Sequence, residues 1–185
     1  KSYLVDPVDV SVTPTNAAAD TVKQVVYPVD KSRKSALLRH LLHTHGWSQV
    51  LVFSRTKHGA NKLVKELLKD DIRAAAIHGN RSQAQRTKAL DEFKRGKLTV
   101  LVATDIAARG IDISELPMVI NFDLPQVAED YVHRIGRTGR AGANGRAISL
   151  VCDDEFKQLN AIERVIKRLL PREDIHGFEP EKPLP

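Results

Sequence analysis

Short strands with unbroken apolar centres are the strongest constraint on this chain. Val50–Phe53 is apolar at every position, Val100, Leu101 and Val102 form the core of a strand over Thr99–Ala103, and Met118–Phe122 is a further strand. A strand with one wet face alternates polar and apolar residues, so a continuous apolar run predicts burial on both faces. Helix-patterned segments fall between these strands. Thr21–Val29 reads as a strand, followed by Asp30 as N-cap of a helix with Leu37, Leu38, Leu41 and Leu42 on one face and Gly46 as its stop. A second helix runs from about Thr56 to Lys69 with Leu63, Leu67 and Leu68 inward, before a strand at Ile72–Ile77. Ser82 and Gln85 make a capping box for a helix bearing Ala89, Leu90 and Phe93. A helix from near Gln126, a strand at Ala147–Val151 and a helix over about Asp154–Leu169 complete the series. Such alternation predicts an α/β domain: a mainly parallel central sheet with helices on both faces.

Composition narrows the functional classes. The 185 residues are 42% hydrophobic and 28% charged, as in an ordinary globular domain. Lys and Arg outnumber Asp and Glu by 29 to 23, and the net charge of +6 suits a polyanionic partner without requiring one. Aromatics at 5% argue against base stacking as the main mode of recognition, leaving arginine contacts to phosphates. A single cysteine, Cys152, forms no internal disulfide, packs as a small apolar residue at a strand end and predicts a reducing, cytoplasmic setting. No apolar run approaches the roughly 20 residues that span a bilayer, so no membrane partner is expected. Met118 is the sole methionine, and Lys1 reads as the start of a piece of something longer. The expected division is a linker and leading strand over 1–20, the domain over 21–170, and a loose exit tail over 171–185 beginning at the helix-stopping Pro171.

In parallel α/β sheets, ligands bind beyond the carboxyl ends of the strands. Three such ends here carry polar residues: Ser54, Arg55, Thr56 and Lys57; His78 and Gly79, with Gln83 and Arg86 at the next helix start; and Thr104 with Asp105. Helix N-termini along the same edge add free N–H groups and a dipole that favours anions. Each hydroxyl also has an ordinary reading as a helix cap. His133-Arg134-Ile135-Gly136-Arg137-Thr138-Gly139-Arg140 places three arginines at spacing three, with glycines between them. Such guanidinium forks suit phosphate oxygens, and a solvated basic loop is the alternative. His40, His43 and His45 read as a solvated helix face rather than a metal site, and no metal ligands are expected. Asp153, Asp154 and Glu155 read as a negatively charged first turn.

Ala103–Asp112 together with His133–Arg140 resembles, nearly letter for letter, motifs V and VI of the DEAD-box RNA helicases. Val50–Lys57 looks like motif IV, Gln83–Arg86 like the following Gln-x-x-Arg element, and Asn121-Phe122-Asp123 like the segment before motif VI. The resemblance covers about residues 1–170, and the chain is similar in tone to the bacterial RhlE group.

The resemblance implies the second, C-terminal RecA-like domain of such a helicase, a three-layer sandwich. It implies that ATP and RNA are bound between this domain and an N-terminal RecA-like partner domain of the same protein. No Gly-x-x-x-x-Gly-Lys-Thr loop or Asp-Glu-Ala-Asp sequence occurs here, so magnesium would be held mainly by that partner domain. Arg137 and Arg140 would be arginine fingers on the γ-phosphate, Asp112 would bind the ATP ribose, and His133 would couple closure to hydrolysis. Arg55, Gly79, Gln83, Arg86, Thr104 and Gly110 would hold a single RNA strand or the end of a duplex through phosphates and 2′-hydroxyls. Arg134 is read as structural, and Arg109 as either a salt bridge or a functional contact. The expected whole is an RNA-stimulated ATPase that locally unwinds duplexes, acting as a monomer, with this piece inactive alone. A non-catalytic RNA- or protein-binding module and a related DNA helicase are the alternatives.

Overall fold

The computed structural model describes residues 20–138 and 145–185. Six strands, β1 (Val22–Pro28), β2 (Val50–Phe53), β3 (Ala74–Ile77), β4 (Val100–Ala103), β5 (Met118–Asn121) and β6 (Gly145–Val151), form one sheet in the order β1-β6-β5-β2-β4-β3. Every pairing is parallel. The helices are α1 (Lys34–His45), α2 (Lys57–Lys69), α3 (Gln83–Lys94), α4 (Asp105–Arg109), α5 (Ala128–Ile135) and α6 (Phe156–Ile166). This is the three-layer α/β arrangement that the alternation predicts.

Side-chain parity along each strand assigns the helices to faces. Val50, Val52, Val100 and Val102 point to one side and bury Leu37, Leu38 and Leu41 of α1 with Leu63 and Leu67 of α2. Leu51, Phe53, Leu101 and Val119 point to the other and bury Ala89 and Phe93 of α3 with Ala107 and Ala108 of α4. On that second face α5 and α6 cover β1 and β6 through Tyr131, Val132, Ile135, Leu159 and Ile162. From β1 to β2 to β3 the chain moves one way across the sheet along the first face, and it returns through β4, β5 and β6 along the second. Right-handed crossovers dictate that division.

Local differences from expectation have simple causes. Gly46 ends α1 in the left-handed region, at φ 61°, as expected. Leu67 is buried while Leu68 is 52% exposed, because Leu68 lies about 100° further round the helix, past the edge of the stripe that packs on the sheet. Asp30 makes no capping bond and precedes a 3₁₀ turn, Lys31–Arg33. Its carboxylate instead accepts from the Glu181 and Lys182 backbone N–H groups. The segment after Pro171 is therefore not loose. Val26 N–H donates to the Pro171 carbonyl and Glu173 N–H to the Val26 carbonyl, while Ile175 and Phe178 pack on the first-face core. α6 stops at Ile166, where Lys167 adopts φ 58°. Asp153–Glu155 is a separate 3₁₀ turn, and Glu155 is buried. Its carboxylate takes the Lys34 ammonium at 2.6 Å and the Leu124 N–H at 2.9 Å, an internal ion pair rather than a solvated first turn.

Candidate functional site

The strand order brings the polar strand ends together. β5, β2, β4 and β3 are consecutive neighbours, so Asp123, Arg55, Thr104 and Gly79 follow one another along a single rim. Backbone bonds from Ser54 N–H to the Ala103 carbonyl and from Thr104 N–H to the Ile77 carbonyl continue the ladders into it. The hydroxyls there divide. Thr56 caps α2 by accepting from Gly59 N–H at 2.9 Å. A Cβ on Gly59 would meet the Ser54 and Thr56 hydroxyl oxygens at 3.0 Å, so glycine lets this cap close. Ser82 and Gln85 form the expected capping box on α3. Thr104 occupies the cap position of α4 but makes no capping bond, so the ordinary reading fails for this hydroxyl.

A cleft of about 210 Å³ opens at this rim between α3 and α4, lined by Gly79, Gln83, Arg86, Ile106, Gly110 and Asp112. Four of the six sequence-predicted RNA contacts meet there with Asp112, while Arg55 and Thr104 stand on the rim without lining it. A Cβ on Gly79 would meet nothing within 4 Å and its φ is ordinary. The fold itself does not require glycine at that position, and the open space suits close approach of a ligand backbone. Ile106, 80% exposed, gives the cleft an apolar edge that sequence reasoning passed over.

Among the described residues Arg55, Lys57, Arg81 and Arg86 form no ion pair. The Nε atoms of Arg81 and Arg86 are buried without a hydrogen-bond acceptor among the described residues, a state that costs about 1–3 kcal/mol per orphaned donor. His78, at the start of the same turn as Arg81, is 2% exposed. Its Nδ1 accepts from Asn80 N–H at 3.2 Å, which leaves the proton on Nε2, 2.8 Å from the Asn61 side-chain oxygen. Burial, then the charges of Arg81 and Lys57, holds its pKa below the usual histidine range, so the imidazole is neutral at neutral pH.

On the other flank of α4 a second, narrow groove is lined by Phe53, Arg109, Asp130, His133, Arg134 and Arg137 among others. Arg134 is buried and structural, as read from the sequence. Its guanidinium donates to both Asp105 carboxylate oxygens at 2.7 and 2.8 Å, to the Asn121 side chain at 3.0 Å and to the Asp123 carbonyl at 2.6 Å, and it lies over the Phe53 ring. Arg109 pairs with Asp130 at 3.0 Å, which gives its salt-bridge reading a geometric basis. His133 is mostly exposed beside the same carboxylate, at 3.9 Å. Arg137 donates to the carbonyls of Ala108, Ile111 and Ile113 at 2.7, 3.0 and 3.1 Å, tying the arginine motif to the end of α4 and the loop that follows. Arg140 lies outside the described residues. The helix histidines disperse: His43 pairs with Asp70, His45 stacks on Trp47, and His40 tilts against Phe178.

Asp105 and Asp123 fall in the strand-end and motif segments read from the sequence, but neither carries a binding role in that reading. Asp123 accepts from the Arg55 backbone N–H at 2.9 Å and lies 3.7 Å from the Lys34 ammonium, so it fixes where β2 enters the rim. Its signals in the sequence were its place after an apolar strand and within the segment that resembles the one before motif VI.

Comparison with known proteins places this geometry. Residues 33–142 match the family described as the helicase conserved C-terminal domain. The ATP-dependent RNA helicase RhlB of Pseudomonas syringae pv. tomato is 45% identical over 168 residues, which cover 91% of this chain and 42% of the relative. SrmB of Haemophilus influenzae, also an ATP-dependent RNA helicase, is 42% identical over 95% of this chain and 40% of its own. The chain thus spans about two fifths of these relatives. Among solved structures, E. coli DEAD-box protein SrmB bound to regulator of ribonuclease activity A superposes with TM-score 0.83 at 37% identity, over 89% of this chain and 97% of that one. S. cerevisiae Dbp5 L327V bound to RNA and ADP BeF3 gives TM-score 0.79 at 34% identity, over 86% of this chain and 44% of that one.

Proposed function

Since the chain belongs to the helicase conserved C-terminal domain family, as the second RecA-like domain of a DEAD-box RNA helicase, we propose that it supplies one half of an ATP site and one half of an RNA groove. The observation that carries the reading is the position of α4 between the two clefts. On one flank Gly79, Gln83, Arg86 and Gly110 gather with Asp112, and Arg86 forms no ion pair among the described residues. On the other stand His133 and Arg137, joined to the loop after α4 through three carbonyls. A five-residue helix contacted from both sides can transmit docking on one flank to the other. Sugar-phosphate backbone in the first cleft, with Arg55 and Thr104 further along the rim, gives sequence-independent, salt-sensitive binding.

Asp112 is the ribose contact, and Arg137 and Arg140 are the fingers that neutralise charge on the transferred phosphoryl group. Such fingers contribute about 10³–10⁵ in rate in related systems. His133 is the coupling contact to the N-terminal domain. ATP brings the phosphoryl group and its magnesium, which the N-terminal domain holds, since no phosphate loop occurs in this sequence. Here Arg137 holds its carbonyl partners, so contact with a phosphate requires it to turn outward. A cytoplasmic monomer acting on single-stranded RNA or duplex ends is the form proposed.

The test uses the full-length protein and its RNA-stimulated ATPase. Arg140→Ala should reduce turnover by at least about 10³-fold while RNA binding persists. Turnover at the wild-type level would remove the finger assignment. Stimulation by DNA equal to that by RNA would favour the DNA-helicase reading, and RNA binding without any turnover would favour a non-catalytic module.

A further inference from the structure

Arg81 has no role in any motif discussed above, yet its surroundings are those of a contact waiting for an anion. It follows β3 in the turn closed by its own N–H to the His78 carbonyl at 3.1 Å, immediately before the capping box of α3. Its Nε is buried without an acceptor, as is that of Arg86 five residues on, and neither side chain has a carboxylate among the described residues. Lys57 stands nearby, fixed by donation to the Asn80 side chain at 3.1 Å. Two cations are therefore held around one turn with only neutral groups between them, His78 included. Such repulsion persists in a native fold when something else supplies the negative charge. Gly79, in the same turn, leaves open space on the cleft side.

We propose that Arg81, supported by Lys57, makes one further backbone-phosphate contact with the bound RNA strand, adjoining the cleft of Gln83 and Arg86. The proposal rests on the RNA reading given above. A fork with several donors and no acceptor suits a phosphate oxygen pair, and a phosphate contact positions the strand without reading its sequence. The binding edge would then extend along the β3–α3 turn beyond the residues that the motifs mark.

The experiment follows binding of a labelled oligouridine to the full-length protein across a potassium chloride series, with a non-hydrolysable ATP analogue present. Loss of one single-strand phosphate contact lowers the slope of log K against log salt by about 0.7. Arg81→Gln should lose that amount and bind roughly tenfold more weakly at fixed salt, whereas Arg81→Lys should keep the slope. An unchanged slope in Arg81→Gln, against a steep wild-type slope, overturns the proposal and leaves the RNA reading standing. A wild-type protein that fails to bind, or binds without salt dependence, overturns the RNA reading and this proposal with it. The Arg81 Nε–H resonance of the wild-type protein supplies a measurement that needs no variant. RNA should shift it and slow its exchange, and an unmoved resonance at saturating RNA also overturns the proposal.

Discussion

Arg134, on α5, gives its guanidinium to Asp105, Asn121 and the Asp123 carbonyl, whereas Arg86, on α3 at the rim, keeps a buried Nε without an acceptor among the described residues. Both are arginines close to motif residues in the sequence, and both suit phosphates by chemistry. Their surroundings separate them. Around α5 the carboxylates of Asp105 and Asp130 take up Arg134 and Arg109. The rim at the ends of β2 and β3 presents Arg55, Lys57, Arg81 and Arg86 without such partners among the described residues. An ion-paired arginine holds the domain together, while an unpaired one at a cleft is available to something outside it.

The comparison breaks if removing Arg134 costs little. Arg134→Ala strands the Asp105 carboxylate and empties a buried site, so urea denaturation should show a loss of about 3–5 kcal/mol. A loss under 1 kcal/mol would make Arg134 a surface contact after all. Glu155→Gln weakens the buried Lys34 pair and should cost about 2–3 kcal/mol in the same measurement, again without touching the rim. The rim should behave oppositely. In the same measurement Gln83→Ala should stay within about 0.5 kcal/mol of wild type and Arg86→Gln, which removes an orphaned donor, should be no less stable than wild type, while both weaken RNA binding by the full-length protein.

Two threonines sharpen the contrast at smaller scale. Thr56→Ala removes a real cap and should cost about 1 kcal/mol. Thr104→Ala removes no cap, so thermal melting should stay near wild type and RNA affinity should fall. The smallest effect is in pH. His78 has a folded pKa below its unfolded value near 6.5, so the unfolded chain binds the proton first. The stability it contributes is present above about pH 6.5 and is lost as pH falls from there through the folded pKa. The melting temperature should decline over that range, and His78→Asn should flatten the decline.

Much of the fold was legible because its signals are local. Apolar runs such as Val50–Phe53 announce strands buried on both faces, and Ser82 with Gln85 announces a helix start that the structure forms. The candidate cleft was partly legible, since Gly79, Gln83, Arg86 and Gly110 follow strand ends and stand in recognisable motifs. Asp30 shows where local signals fail. Its type and position fit an N-cap, but the backbone N–H groups of Glu181 and Lys182 compete for the same carboxylate from about 150 residues away. Leu68 was misread because an apolar residue beside a stripe looks like part of it. Arg81 and Ile106 carried no sequence signal, because an unpartnered donor and an exposed apolar edge are properties of surroundings.

The sequence by itself determined the alternation of strands and helices, the parallel class of the sheet and the residue types available at each strand end. Those follow from periodicity, capping and the burial of short apolar runs, all read within a few residues. Only the tertiary structure decided which strand ends are neighbours, because the order β5-β2-β4-β3 depends on crossovers between distant segments. That order places Asp123 against Arg55, Asp105 against Arg134, and α4 between two clefts. Whether an arginine supports the fold or faces a ligand depends on the carboxylates that long-range packing brings within reach.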